Sequence, residues 1–282
     1  MSLRLAVTGA AGLFGAGLVR VLSAGNDVLG LTRAAADVRD VESLRQRLKP
    51  FRPDVIIHAA AIPSPDICEQ NPTLAHDVNV GGTEAVVHVS RELETIVALI
   101  SSDAVFDGKK NSPYLESDPP NPIGVYGVTK LLAEERVRAT ENHFIFRVSV
   151  LFGLDKANFI SRGLDDIRAG RDCVVALDQV GSATYVDDAA KMIFNVLHAK
   201  AYGTFHLSNS GACSRYELAR EAAAVAGLDT NKVVGLPLAA MNRPGPRVPY
   251  SLMALDALER RGFPYPRHWK DALAEYLRSS PR

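Results

Sequence analysis

The sequence predicts an α/β fold, a doubly wound parallel sheet with a smaller C-terminal lobe. Three observations predict it. Short apolar runs alternate with amphipathic segments through the first 150 residues, the pattern of a parallel sheet covered by helices on both faces. A glycine-rich turn, Thr8-Gly-Ala-Ala-Gly-Leu-Phe-Gly15, follows the first apolar run directly. Beyond residue 150 the alternation weakens, and Gly, Pro and short mixed elements take over.

Each element has its own signal. Leu3 to Thr8 reads as a short buried strand. The stretch after Gly12 reads as a helix with Leu18, Val19 and Leu22 as its apolar stripe. Asp27 to Leu31 is a second strand. Asp40 is an N-cap candidate, with Val41, Leu44 and Leu48 at helical spacing behind it. Pro53 breaks the chain before a third strand, Asp54 to His58. A long helix is predicted over Thr73 to Leu93, then a fourth strand, Ile96 to Ser101. A polar, proline-rich loop spans Asp107 to Pro122. A helix near Val125 to Ala139 and a strand from His143 to Val148 follow.

Composition narrows the function. The 282 residues are 47% hydrophobic, enough for a full core. Lys plus Arg number 32 and Asp plus Glu number 32, so the basic excess of a nucleic-acid protein is missing. Leu3 to Leu22 is apolar, but its glycines make a poor membrane helix and no basic leader with a cleavage site precedes it. Cys68, Cys173 and Cys213 are widely spaced and read as free thiols of a cytoplasmic protein. The seven histidines do not cluster at metal-ligand spacing, so no metal is expected. Asp187-Asp188 reads as a helix cap.

The glycine turn carries the first chemistry. Gly9 allows a tight turn, Gly12 lets main chain approach a pyrophosphate, and Gly15 lets helix and strand pack closely. The helix N-terminus behind them offers free N–H groups to phosphate. A strand before and a helix after are the context this motif requires. The first half therefore reads as a Rossmann dinucleotide-binding domain, residues 1–150, with a return near 185–200. Residues 151–282 read mainly as a substrate-binding lobe. At the end of the second strand Leu31 is followed by Thr32 and Arg33, with no acid for ribose hydroxyls. An arginine there neutralises a 2′-phosphate, so NADP(H) is preferred over NAD(H). Asp37 and Val38 are candidates for the adenine.

Tyr126-Gly-Val-Thr-Lys130 places a phenol and an ammonium on one helix face. A nearby ammonium favours the phenolate and lowers its pKa from about 10. Ser101-Ser102 closes the fourth strand, where open sheets present ligand-facing groups.

Together TGAAGLFG, HAAA at 58–61, SSD at 101–103 and YGVTK resemble the extended short-chain dehydrogenase/reductases. SSDAVFDG, PYLESDPPNPIGVYGVTKLLAEE, FRVSVLFG, DQVGSATYVDDAA, GTFHLSNSGACSRYELA and RPGPRVPYSL resemble, in order, the dTDP-4-dehydrorhamnose reductase group over nearly the whole chain. The resemblance implies that Ser102 hydrogen-bonds the substrate carbonyl, Tyr126 donates the proton, and Lys130 holds the nicotinamide ribose. It implies that Gly12, Leu13 and Phe14 take the pyrophosphate, Asp37 and Val38 the adenine, and that Ala60, Ala61 and Ile62 line the cofactor. Asp103 is then the acid beside the substrate. Two positions depart from the pattern. Ala104 replaces an aromatic, and Val150 replaces a tryptophan that packs on the sugar. Both losses predict a wider sugar pocket, unless Phe159 or Tyr185 refills it.

The implied activity is NADPH-dependent reduction of a nucleotide-activated 4-keto-6-deoxy sugar, with that sugar as the partner molecule, no nucleic acid, no membrane, and a homodimer left open. The alternative is a cofactor-binding regulatory subunit. The beta subunit of methionine adenosyltransferase resembles the same group, and its PDVxE segment has an echo in Pro65-Asp66.

Overall fold

The computed structural model describes residues 2–280. The chain opens with β1 (Arg4–Thr8), α1 (Leu13–Leu22), β2 (Asp27–Leu31), α2 (Val41–Phe51) and β3 (Val55–His58). It continues through α3 (Pro65–Gln70), α4 (Pro72–His76), α5 (Gly82–Glu92), β4 (Ile96–Ser102), α6 (Val125–Arg138) and β5 (His143–Val148). The second half holds β6 (Leu151–Phe152), α7 (Phe159–Arg168), β7 (Cys173–Ala176), β8 (Val180–Gly181), β9 (Thr184–Tyr185), α8 (Val186–His198) and β10 (Gly203–Leu207). Then come β11 (Cys213–Ser214), α9 (Arg215–Val225), β12 (Val233–Leu236), β13 (Tyr250–Ser251), α10 (Asp256–Arg260) and α11 (Trp269–Ser279).

Six strands form one parallel sheet in the order β10-β5-β4-β3-β1-β2. The order reverses beside β1, and such a switch point opens a crevice at the carboxyl ends of the strands. On one face, Leu18 and Leu22 of α1 and Ile193 and Val196 of α8 share a core with Val7, Ile57 and Phe146. On the other, Leu44 and Leu48 of α2, Val86 of α5 and Val137 of α6 share one with Ala6, Ile56 and Leu99. A third core, with Phe152, Tyr185, Leu218, Trp269 and Tyr276, belongs to the second half. Each fully buried side chain of this size contributes about 1.5–3 kcal/mol.

The expected fold class is the one found, and several elements differ in detail. Asp40 caps α2, accepting from the Glu42 and Ser43 N–H groups. The helix expected over Thr73 to Leu93 is two helices, because a π turn, Asp77–Gly81, interrupts it. The wider turn puts Asn79 in the interior, 1% exposed. The fourth strand runs one residue further, to Ser102. Neither α3 nor β10 was expected from the sequence. Asp187 and Asp188 lie in the first turn of α8 rather than at its cap, which is Tyr185. They pair instead with Arg20 and Arg267. The three cysteines are buried and unpaired. Among the described residues no helix is long and apolar enough to cross a membrane.

Candidate active site

One cleft of about 790 Å³ lies at the carboxyl end of the sheet. All sixteen residues nominated from the sequence line it, from Gly9 on the glycine turn to Val150 after β5. The sizes of such sites run from about 300 to 1,000 Å³.

The glycine turn works by close approach. Gly9 has φ +70°, and a Cβ there would sit 2.7 Å from the Ala60 nitrogen. A Cβ at Gly15 would sit 2.2 Å from the Gly9 carbonyl oxygen, so its contact is with the turn rather than with the strand. Gly12 is the N-cap of α1 and brings no side chain, and the first turn of α1 carries no acid. Leu13 and Phe14, which carry open N–H groups of that first turn, line the cleft with no carboxylate of the turn beside them.

Beyond β2 the wall is charged. The Arg33 side chain is 82% exposed, with its Nε 3.5 Å from Asp37. Arg39, which the sequence reading passed over, grips Asp37 with two guanidinium bonds at 3.0 and 2.6 Å. That grip, against a desolvation that opposes it, holds the Asp37 carboxyl down at about 2. Val38 is buried beside them. On the opposite wall Ala60, Ala61 and Ile62 follow β3. Asn79 fixes Ile62, accepting from its N–H at 2.7 Å and donating to its carbonyl at 3.4 Å. Asn79 also donates to Thr129 on α6 at 3.0 Å. The π turn thus ties the cofactor wall to the helix carrying Tyr126 and Lys130.

Ser102 ends β4, and Tyr126 and Lys130 occupy the first turns of α6. A Cβ at Gly127 would sit 2.1 Å from the Ala104 carbonyl oxygen, so glycine lets α6 lie against the end of β4. Lys130 is buried and donates to the Ile100 carbonyl at 2.6 Å. Burial lowers its ammonium to about 8, opposed by the charge of Glu134. Burial raises the Tyr126 phenol, with the Ser102 hydroxyl pulling it back and Asp103 pushing it up. The sequence expectation was the reverse. Desolvation of the phenolate is the largest effect there, and it sets the direction. Behind them His58 bridges Thr8 and Thr83 and is neutral, lowered to about 3 by burial and then by Lys130. Glu134 is fully buried and holds Ser101, Arg138 and Arg147.

Asp103 sits in a nest of hydroxyls. It accepts from Ser102 at 2.9 Å and from Ser149 and Ser251 at 2.6 Å each. Sequence reasoning missed both outer serines, which come from distant segments. It also missed Arg215, whose guanidinium stands 5.4 Å from the Phe159 ring and lines the cleft. Burial holds that guanidinium below the usual arginine range. Val150 lines the cleft with φ +27°, a region where a β-branched residue is strained. Phe159 shares the lining, whereas Tyr185 is buried against Phe152 at 5.4 Å and does not reach it. Of the two aromatics considered for refilling the pocket, only Phe159 is in position.

Known proteins resemble this chain throughout. The sequence matches the family described as RmlD substrate binding domain over residues 3–281. It is 35% identical over 276 residues to the spore coat polysaccharide biosynthesis protein SpsK of Bacillus subtilis, covering 97% of this chain and 96% of that one. It is 33% identical over 280 residues to a dTDP-4-keto-6-deoxy-D-glucose reductase of Streptomyces niveus, covering 98% and 96%. The structure matches that of a dTDP-4-dehydrorhamnose reductase from Bacillus anthracis in complex with NADP. The TM-score is 0.95 at 30% identity, covering 99% of this chain and all of the other.

Proposed function

The chain belongs to the RmlD substrate binding domain family, and from that premise we propose an NADPH-dependent reductase of a nucleotide-activated 4-keto-6-deoxy sugar, of the dTDP-4-dehydrorhamnose reductase kind. The observation that carries the reading is the convergence of Ser102, Tyr126 and Lys130 in the cleft that the glycine turn also lines.

The turn fits a dinucleotide, since the space a Cβ would take at Gly9 or Gly15 is already filled by main chain. Gly12, Leu13 and Phe14 would hold its pyrophosphate, Arg33 a 2′-phosphate, Asp37 and Val38 the adenine, and Lys130 the ribose. When bound, the nicotinamide supplies the hydride. The rest falls to side chains. Tyr126 gives its proton to the forming alkoxide, and burial keeps that proton in place at neutral pH until it is needed. Ser102 turns its hydroxyl from Asp103 to the same oxygen and stabilises the developing charge. Arg215, which lines the same cleft, would offer its guanidinium to the diphosphate of the nucleotide. The regulatory-subunit reading gains nothing from the relatives above, which carry biosynthetic names.

Loss of NADPH absorbance on mixing the protein with dTDP-4-dehydrorhamnose or dTDP-4-keto-6-deoxyglucose tests the activity. No oxidation with either sugar would remove the reductase reading. The same assay tests the pocket. Val150 offers no ring to stack on a sugar, so kcat/KM for dTDP-4-dehydrorhamnose is expected below about 10⁴ M⁻¹s⁻¹. A higher value rejects the wider pocket and leaves the chemistry standing.

A further inference from the structure

The segment between β12 and β13 contains a strap, residues 243–249, that reaches across to α3. One carboxylate fixes it there. Asp66 accepts from the Gly245 N–H at 3.0 Å and from both terminal nitrogens of Arg247, at 3.1 and 2.7 Å. Arg243 stands 3.9 Å from the same group. The backbones touch as well. A Cβ at Gly245 would sit 2.5 Å from the Pro65 carbonyl oxygen, and one at Gly124 would sit 2.5 Å from the Pro246 ring. Pro246, Arg247 and Val248 line the cleft on the strap's inner side.

The same short helix has a second acid at work. Gly124, the N-cap of α6, has no side chain to satisfy the helix's open N–H groups. Glu69 supplies the missing acceptor, taking the Val125 N–H at 3.1 Å. One acid of α3 therefore holds the strap, and the other holds the start of the helix that carries Tyr126.

We propose that α3 is a clasp, in which Asp66 is a positioning residue that holds the strap over the substrate half of the cleft and presents Arg247 to it. The proposal rests on reading the cleft as a nucleotide-sugar site. Two features separate the contact from an ordinary surface ion pair, which contributes little. The carboxylate takes a main-chain N–H together with a two-pronged guanidinium, a geometry that orders backbone as well as side chain. Its side chains are also only partly exposed, 26% for Asp66 and 17% for Arg247. Arg247 lines the cleft while Asp66 holds it, so an incoming diphosphate meets a guanidinium already in place. Without Asp66 the strap loses the acceptor that orders it, and substrate must bear the cost of ordering it on binding. The glycine turn and the wall after β2 belong to other segments, so dinucleotide binding is untouched.

Hydrogen exchange by mass spectrometry on the ligand-free full chain is the first test. In Asp66→Asn, and separately in Arg247→Gln, amides of residues 243–249 should exchange about tenfold faster, with β1 to β4 unchanged. Saturating dTDP should protect the same amides in the native protein. In steady state, Asp66→Asn should raise KM for the nucleotide sugar about tenfold, with a much smaller effect on kcat, and Asp66→Glu should recover most of the loss. Unaltered strap exchange in both variants overturns the clasp, as does faster exchange with an unchanged KM. If the native protein turns over no dTDP sugar, the functional reading fails, and the exchange data still decide whether Asp66 holds the strap.

Discussion

The two halves of the cleft are built by different means. The dinucleotide half rests on Gly9, Gly12 and Gly15, three glycines of a single strand-to-helix turn, and its critical distances are between main-chain atoms. The half proposed for the sugar gathers Ser149, Arg215, Arg247 and Ser251 from separate segments, and side-chain contacts to Asp103, Phe159 and Asp66 hold them. The hydrogen bond from Ser251 to Asp103 spans 148 positions of sequence. A site made of backbone tolerates almost no change, because a single methyl group collides with a carbonyl. A site made of scattered side chains can be altered one residue at a time. Substrate choice has room to drift where the cofactor site does not.

The largest effect is expected where the halves meet. Tyr126→Phe keeps the ring and deletes the proton, so turnover should fall roughly 10²-fold or more while calorimetric NADPH affinity barely changes. Equal losses in both would mean that the halves are not separable at Tyr126. Next comes the charged wall of the dinucleotide half. Arg33→Ala should cost about 1–3 kcal/mol of NADPH binding and leave NADH nearly unaffected, the range of a charge-assisted hydrogen bond. Native protein that binds the two cofactors equally would remove Arg33 from the 2′-phosphate and leave Arg39 as the guanidinium to test.

The smallest effect concerns pH. Burial lowers Lys130 to about 8 from 10.5 in the ligand-free protein. The charged form is therefore abundant below pH 8 and lost above it. A ribose contact that needs the ammonium must weaken as pH rises through that value. NADPH affinity should drop by up to about tenfold between pH 7 and pH 9. Lys130→Met should bind more weakly at pH 7 and show no such decline. A decline of equal size in that variant would place the titrating group elsewhere.

The contrast also explains what could be read before folding. The glycine turn, Ser102 and the Tyr126–Lys130 pair are local patterns, each tied to one strand end or one helix face, and spacing alone exposes them. Asp40 was legible for the same reason. α3 escaped because six residues between Pro65 and Pro72 are too few to show a helical period. The π turn escaped because Val78 and Val80 keep the stretch apolar, and only the inward Asn79 betrays the break. β10 escaped because a strand of five residues after a weakened alternation has no contrast with its surroundings. Arg215, Ser149 and Ser251 have no local signature at all. Their meaning lies in Asp103 and Phe159, which chain topology alone brings near. The expected lowering of the Tyr126 phenol failed for a related reason. Sequence spacing placed an ammonium close by, but could not show how far the fold desolvates the phenol.

The order of strands in the sheet has a consequence for how the chain is made. β5 pairs with β10, and the face of the sheet bearing Val7, Ile57 and Phe146 is covered by α1 together with α8. A Cβ at Gly17 on α1 would lie 2.2 Å from a methyl of Val186 on α8, so the two helices are fitted to each other. Translation delivers β5 well before β10 and α8. At about 5–20 residues per second, the ribosome needs roughly 3–12 s to pass from the end of β5 to the end of β10. During that interval the nascent chain presents an unpaired strand edge and a half-covered aromatic face to its surroundings.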